Sequence, residues 1–360
     1  MNYTLEVKEK IKNDNLKYII FTMGCSLNEN DSEKISGMIE KMGFSKTEKL
    51  EDADFVIFNT CCIRENAEER LFGKLGEIKK IKEKRNIIVA IGGCMMQEKE
   101  SLDKIKKSYK FVNIVFGTHT LQDLPKDVYE VILENKKVKD VIDIDGEIVE
   151  GLPIKRTSKY KAQITIMYGC NNFCAYCIVP YVRGRERSRN PDDILNETKS
   201  LAESGYKEIM LLGQNVNSYG NDNFKYCRGE IKSGVDSFAK LLRELNKIDG
   251  IERIRFISPH PKDFSQDVIE AIRDCQKISR LIHLPLQSGN TKVLKEMNRK
   301  YTKEQYLELV QKIKETIPNV KFSTDIIVGF PGETEKEFED TIDVVKRVRL
   351  WASIYVYLFY

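Results

Sequence analysis

The sequence predicts an α/β chain in two parts, an open parallel-sheet domain followed by an incomplete, six-stranded β/α barrel. Three observations carry that expectation. Short apolar runs alternate with longer amphipathic ones through most of the 360 residues. The alternation pauses over residues 145–157, where Gly146, Gly151 and Pro153 gather, and then restarts. Cysteines and small polar clusters fall where the apolar runs end, which in a parallel sheet is the edge that holds ligands.

Length and composition agree with this. A chain of 360 residues is too long for one simple core, so two domains are expected. A hydrophobic share of 41% suits a folded globular chain and argues against overall disorder. The 59 basic and 55 acidic residues leave a net charge of +4, too mild to demand a nucleic-acid partner or to exclude one. Residues 1–15 are charged and lack an apolar centre, so they are not a secretory signal. No apolar run approaches the ~18 residues of a membrane span. Nine cysteines, an odd number, then read as reduced thiols or ligands rather than disulfides. The expected location is the cytoplasm.

The first domain is expected over residues 16–144. Residues 18–21 read as a strand, and 31–42 as a helix capped by Asp31 or Ser32 and ended by Gly43. Strand 55–58, helix 65–84, strand 87–91 and helix 97–107 follow, then strands 113–116 and 138–144. Cys25 follows the first strand, Cys61 and Cys62 the second, and Cys94 the third. Three strand-end loops therefore bring Cys25, Cys94 and one of Cys61 or Cys62 together, with Cys61 nearer its strand. Each loop also opens a helix, whose amino-terminal dipole favours thiolate charge. The bland reading is small buried residues at strand ends. His119, in a Gly-Thr-His-Thr turn, is expected to cap or to face solvent.

Residues 145–157, with Lys155 and Arg156, read as the linker, and 158–360 as the partial barrel. Strand 162–167 delivers Cys170-Asn-Asn-Phe-Cys174-Ala-Tyr-Cys177 at its end. Three thiolates in so short a loop select a soft metal centre. Structural zinc takes four closed ligands, but the next Cys is Cys227 and the nearest downstream His is His260. Three ligands on a four-iron cluster leave one iron open for a substrate or cofactor. Arginines at 183, 185, 187 and 189 read either as a solvated loop or as an anion- or RNA-facing edge.

Asn190 and Pro191 start the next helix. Strands 208–212, 254–257, 281–286, 321–328 and 352–359 follow, separated by helices, and Thr302 with Gln305 forms a capping box. Polar groups end these strands: Gly213-Gln-Asn-Val-Asn217, Ser258-Pro-His-Pro261 and Gln287-Ser-Gly289. Cys227 reads as an unligated thiol and Cys275 as buried. His260 is a weak site candidate, and His283 reads as a satisfied core residue.

With these residues in view, the chain resembles the radical S-adenosylmethionine enzymes. The three-cysteine loop carries the likeness, together with Leu284-Pro-Leu-Gln-Ser-Gly289 and Ile327-Val-Gly-Phe-Pro-Gly-Glu-Thr334. Cys25, Cys61 and Cys94 ahead of it make it similar to the methylthiotransferases. Asn59-Thr-Cys-Cys-Ile-Arg-Glu-Asn66 and Gly92-Gly-Cys-Met-Met-Gln97 point to those acting on N(6)-dimethylallyladenosine beside the tRNA anticodon. The resemblance implies two 4Fe-4S clusters, one on Cys170, Cys174 and Cys177 that binds S-adenosyl-L-methionine, and an auxiliary one on Cys25, Cys61 and Cys94. It also implies that the Cys62 position is not a ligand. A 5′-deoxyadenosyl radical would take hydrogen from C2 of the base, and the auxiliary cluster would supply sulfur, methylated by a second S-adenosylmethionine. It implies tRNA and a low-potential electron donor as partners, and no membrane. By position, Gln287 and Ser288 are candidates for holding the cofactor's ribose. The same chemistry on threonylcarbamoyl-adenosine tRNA or on a ribosomal protein is the alternative, as is a catalytically impaired truncated form. Two departures stand out. Ser26-Leu27 replaces the family's usual Gln-Met, and the family's RNA-binding TRAM domain has no counterpart here, so the sequence reads as a truncated form with weakened tRNA binding.

Overall fold

The structure is a computed structural model that describes residues 2–62, 65–142, 148–227 and 230–357. The chain forms two compact units, Met1–Thr157 with Tyr181–Gly184, and Ser158–Pro180 with Arg185–Tyr360.

The first unit contains α1 (Tyr3–Ile11), β1 (Lys17–Thr22), α2 (Ser26–Lys41), β2 (Ser45–Lys46), β3 (Phe55–Thr60), α3 (Glu65–Lys82), β4 (Ile88–Gly93), α4 (Lys99–Ser108), β5 (Ile114–Phe116), α5 (Leu124–Leu133) and β6 (Val138–Asp140). The six strands are parallel, in the order β2-β1-β3-β4-β5-β6. β3 is central, and all six of its residues are buried. Its side chains alternate between two cores, Phe55 and Ile57 into one and Val56 and Phe58 into the other. The strand order reverses between β1 and β3, the place where open α/β sheets form a ligand crevice.

Several local expectations change here. The charged amino terminus is α1, whose Val7 and Ile11 are buried one turn apart. It packs on α5, with the Tyr3 and Tyr129 rings 5.3 Å apart. α5 was not expected, although Pro125 in its first turn and the buried Leu124, Val128 and Val131 mark it. α2 begins at Ser26, so Asp31 and Ser32 are buried inside the helix and cap nothing. Ser32 Oγ instead accepts from Thr22 Oγ1 (2.7 Å) and Asn59 Nδ2 (2.9 Å). His119 is buried, not a surface residue. The end of the linker is a strap on α2 rather than a free crossing. Glu33 Oε1 accepts from the Thr157 N–H and hydroxyl (both 2.9 Å), and Glu33 Oε2 pairs with Arg156 Nη1 at 3.1 Å. The expected strand residues 143–144 and linker residues 145–147 lie outside the described residues.

The second unit contains β7 (Lys161–Thr165), β8 (Met167–Tyr168), α6 (Val179–Val182), β9 (Arg187–Ser188), α7 (Pro191–Glu203), β10 (Glu208–Leu212), α8 (Phe238–Asn246), β11 (Arg253–Phe256), α9 (Gln266–Asp274), β12 (Leu281–His283), α10 (Thr291–Glu296), α11 (Lys303–Thr316), β13 (Lys321–Val328), α12 (Glu335–Val348) and β14 (Ala352–Tyr357). The strands form parallel sheets β7-β10-β11 and β12-β13-β14, and Ile254 of β11 makes an isolated bridge to Ile278, just before β12. Among the described residues no ladder joins β14 to β7, so the barrel stays open. The helix starts follow the sequence signals. Asn190 accepts from Asp192 N–H, and Thr302 with Gln305 closes a capping box. His283 is only half-buried. Its ring bonds Ser323 Oγ (3.1 Å) and Asp325 Oδ2 (3.3 Å), which corrects its reading as a core residue. The expected end of the last strand, 358–359, lies outside the described residues. No helix among the described residues is long and apolar enough to cross a membrane.

Asp127 in α5 is fully buried, and neither carboxylate oxygen has a hydrogen-bond partner among the described residues. Burial, with Asp140 and Asp123 adding, pushes its pKa up from 3.8 to about 8. Across that window the folded chain keeps a proton that the unfolded chain has released, so stability falls as pH rises from about 4 to 8. Asp127→Asn is expected to flatten this fall and to melt above the parent at pH 8. Thermal melts across the window measure it.

Candidate functional site

In the first unit, β1, β3 and β4 are neighbours, so their carboxyl ends lie side by side. Buried amides tie these ends together. Asn28 Nδ2 donates to Asn59 Oδ1 (3.2 Å) and Thr60 O (2.9 Å), and Asn59 Nδ2 donates back to Asn28 O (2.8 Å). Thr60 Oγ1 donates to Gly92 O at 2.7 Å. Cys25 is the N-cap residue of α2 and its thiol donates to Asn28 Oδ1 at 3.4 Å. Cys61 follows β3 and Cys94 follows β4, both buried. The loops approach closely: a Cβ on Gly24 would lie 2.9 Å from Cys61 Cβ. Gly93 has φ 98° and ψ −167°, a region essentially restricted to glycine, and a Cβ there would lie 2.4 Å from Thr60 O.

The electrostatics place the thiols within reach of one another. Burial pushes Cys94 up to about 11; Arg183 pulls it down and Cys61 pushes it up. Burial also raises Cys62, with Cys94 and Cys61 adding to the effect. Arg183 Nε donates to Cys94 Sγ at 3.1 Å, and its Nη2 pairs with Asp31 Oδ2 at 2.9 Å. Burial opposes that guanidinium's charge, but Cys94, Asp31 and Cys25 raise its pKa well above the ordinary arginine value. Cys25, Cys61 and Cys94 therefore lie around one locus with Arg183.

In the second unit the three-cysteine loop follows β8, and Cys170 and Cys174 are buried. Its backbone is pinned from α10 and the turn after it. Asn298 Nδ2 donates to Phe173 O (2.7 Å) and Asn172 O (3.3 Å), and Ala175 N–H to Met297 O (3.0 Å). Buried Glu186 accepts from the Asn171 N–H (3.3 Å) and Asn215 Nδ2 (3.2 Å). Burial raises Cys170 to about 12, and Glu186 adds to it. Arg299, 8% exposed, points Nη1 at Cys174 Sγ (3.5 Å), Nε at Tyr301 Oη (3.0 Å) and Nη2 at Pro285 O (3.2 Å).

Other candidates move. The arginine run is neither a solvated loop nor a continuous basic edge, because Arg183, Arg187 and Arg189 are buried. Arg189 Nη1 bonds Thr165 O (2.6 Å) and Glu197 Oε2 (3.0 Å), whereas exposed Arg185 lies 4.5 Å over the Phe173 ring. His260 Nδ1 accepts from the Lys262 N–H, and burial, with Arg299 and Lys262, pushes its pKa down to about 2, so the ring is neutral. Ser288 is fully buried in a turn; its hydroxyl accepts from the Asn290 N–H (3.2 Å) and lies 3.5 Å from Thr341 Oγ1. Gln287 is half-buried with a left-handed φ of 67°. Cys275 is buried, and the Cys227 thiol donates to Ser188 O at 3.0 Å. Ile63 and Arg64 of the Asn59–Asn66 motif lie outside the described residues. The sequence gives no sign of the roles of Arg299, Asn28 and Glu186, although Glu186 lies in the arginine run beside Arg183.

Known proteins match this layout. Residues 164–345 match the family model described as Radical SAM superfamily, and residues 17–117 match the one described as Uncharacterized protein family UPF0004. The structure is similar to the radical S-adenosylmethionine methyltransferase TsrM from Kitasatospora setae. The TM-score is 0.65 at 12% identity, over 95% of this chain and 72% of that one. The cobalamin-dependent S-adenosylmethionine radical enzyme OxsB aligns with a TM-score of 0.62 at 12% identity, over 94% of this chain and 52% of that one. At those identities the likeness shows the fold alone: an α/β chain with a radical S-adenosylmethionine-type barrel. In sequence, the tRNA-2-methylthio-N(6)-dimethylallyladenosine synthase of Clostridium botulinum (strain Alaska E43 / Type E3) is 56% identical over 98% of this chain and 76% of its own length. The enzyme of that name from Acetivibrio thermocellus is 52% identical over all of this chain and 72% of its own length. The chain belongs to the tRNA-2-methylthio-N(6)-dimethylallyladenosine synthase family of radical S-adenosylmethionine enzymes.

The residues present fit iron–sulfur clusters. No three His, Cys, Asp or Glu side chains among the described residues converge on a single ion, and thiolates on different irons of one cluster stand further apart than that. Arg299 has no carboxylate partner among the described residues, and a buried charge left so is costly unless an anionic group meets it. A polythiolate cluster on Cys174 is such a group. In the three-cysteine loop and after β10, Asn172 Oδ1, Gln214 Oε1 and Asn215 Oδ1 are buried without hydrogen-bond partners among the described residues, as places for a polar ligand would be.

Gly93→Ala is expected to cost about 1–3 kcal/mol from backbone strain and to lower iron bound through the first unit, read by thermal melts and iron content. Arg299→Met is expected to lower iron retained at the three-cysteine loop, with Arg299→Lys recovering part; iron content in a chain lacking Cys25, Cys61 and Cys94 reports it.

Proposed function

We propose that this chain is a transferase that converts N(6)-dimethylallyladenosine next to the tRNA anticodon into its 2-methylthio derivative. Its relatives carry that activity in their name at 52–57% identity across 93–100% of this chain. The observation that carries the reading is the occurrence in one chain of two thiol sets, one at the ends of the parallel strands β1, β3 and β4 and one in the loop after β8, each met by a buried guanidinium. The cofactors are two 4Fe-4S clusters and S-adenosyl-L-methionine. When bound, they supply the one-electron and sulfur-transfer chemistry that an aromatic C–H without useful acidity requires.

The chain's own residues hold and orient these groups. Cys170, Cys174 and Cys177 would ligate the cluster that leaves one iron open for S-adenosylmethionine, and Cys25, Cys61 and Cys94 the auxiliary one. Arg299 balances thiolate charge, and Asn298 holds the loop backbone. Gln287 would reach the cofactor's ribose, while Ser288 shapes the turn that presents it. Residues 16–144 form the auxiliary-cluster domain, 145–157 the connection and 158–360 the radical domain. A low-potential donor would supply electrons, in the cytoplasm.

Nucleoside mass spectrometry tests this reading in a strain lacking its own methylthiolating activity. Expression of the chain is expected to convert the isopentenyl nucleoside to its 2-methylthio form. Cys170→Ala is expected to abolish 5′-deoxyadenosine formation in vitro. Cys94→Ala should keep that formation but lose the methylthio product. An unchanged isopentenyl pool with the parent chain would refute the assignment.

A further inference from the structure

Arg183 arrives at Cys94 by an unusual route. The chain leaves the first unit after Thr157 and returns to it only for Tyr181–Gly184. Those four residues bring one guanidinium to the thiol locus, and Thr118 Oγ1 pins the neighbouring Val182 carbonyl at 2.8 Å. The guanidinium meets a sulfur and a carboxylate: Nε donates to Cys94 Sγ at 3.1 Å, and Nη2 forms an ion pair with Asp31 Oδ2 at 2.9 Å. Both charged side chains are nearly buried, at 5% and 7% exposure. A surface ion pair would be screened by water; this one is not.

We propose that Arg183 and Asp31 act as a pair that sets the reduction potential of the centre on Cys25, Cys61 and Cys94, Arg183 as the positioning residue that donates to the Cys94 sulfur and Asp31 as its counterweight. The proposal rests on the ligand assignment above. A hydrogen bond to a ligand sulfur and a nearby cation both favour the more electron-rich state of a thiolate centre, which raises its potential. Asp31 has two effects. Its negative charge lowers the potential, and its ion pair with the guanidinium, 2.9 Å from Nη2 but without hydrogen-bond alignment, helps hold that group beside the sulfur. Lysine could not replace the arginine in full, because an ammonium lacks the rigid fork that serves two partners at once. The contrast with Arg299, which has no carboxylate partner among the described residues, marks the Asp31 pairing as a feature of the first unit's locus.

The test uses the 360-residue chain with Cys170, Cys174 and Cys177 changed to Ala, so that one centre loads. After anaerobic reconstitution, its midpoint is read by potentiometric titration with electron paramagnetic resonance. Asp31→Asn keeps the shape and removes the charge, so the midpoint is expected to shift positive. Adding Arg183→Met to Asp31→Asn is expected to shift it negative of Asp31→Asn alone, and adding Arg183→Lys instead is expected to recover part of that loss. A midpoint unmoved by Asp31→Asn overturns the proposal, as does a double variant equal to Asp31→Asn. If the Arg183 variants do not load iron, Asp31→Asn alone decides. Removing Cys25, Cys61 and Cys94 from the same chain separates the two levels: iron loading equal to the parent there refutes the ligand assignment itself, whatever the midpoints do.

Discussion

A centre built from thiols that are distant in sequence needs its loops held at fixed spacing, and in the first unit two buried amides hold them. Asn28 and Asn59 exchange hydrogen bonds across the ends of β1 and β3, and Thr60 extends the tie to β4 through Gly92. Each bond is modest alone, about 1 kcal/mol net. Breaking one would strand a buried polar group, so the three loops move together or not at all. The parallel sheet makes this possible, because it puts every strand's carboxyl end on the same edge.

The two thiol loci use cationic charge in different ways. At Cys94 the guanidinium of Arg183 is met by a carboxylate and a sulfur. At Cys174 the guanidinium of Arg299 is met by a sulfur, a phenol and a carbonyl. Desolvating an arginine is expensive in either place, and the second arrangement depends more on whatever anionic group the thiols carry. Neutral thiols are the form that burial favours at Cys94 and Cys170. Ligation must therefore displace protons, which couples metal binding to pH and to the buried cations.

Much of the fold was legible because its signals are local. The Asn190–Pro191 start and the Thr302–Gln305 box both close as the sequence implies, since a cap involves residues only a few positions apart. α2 went wrong for the converse reason. Asp31 and Ser32 have cap chemistry, but their partners are Arg183 in one case and Thr22 with Asn59 in the other, and those long-range bonds keep both inside the helix. The linker misled similarly: Gly and Pro announce a loop, yet nothing local reveals that Glu33 will bind Arg156 and Thr157. The arginine run shows the same limit, with its alternate members buried against unrelated partners.

By itself the sequence determined the parallel α/β architecture, the three thiols after β8 and the strand-end positions of Cys25, Cys61 and Cys94, because periodicity and short spacing are written along the chain. Only the tertiary structure decided which cations face those thiols. Arg183 meets Cys94 across 89 residues and Arg299 meets Cys174 across 125. A buried charge is placed by which strands become neighbours and which turns close over them, and no local pattern encodes that.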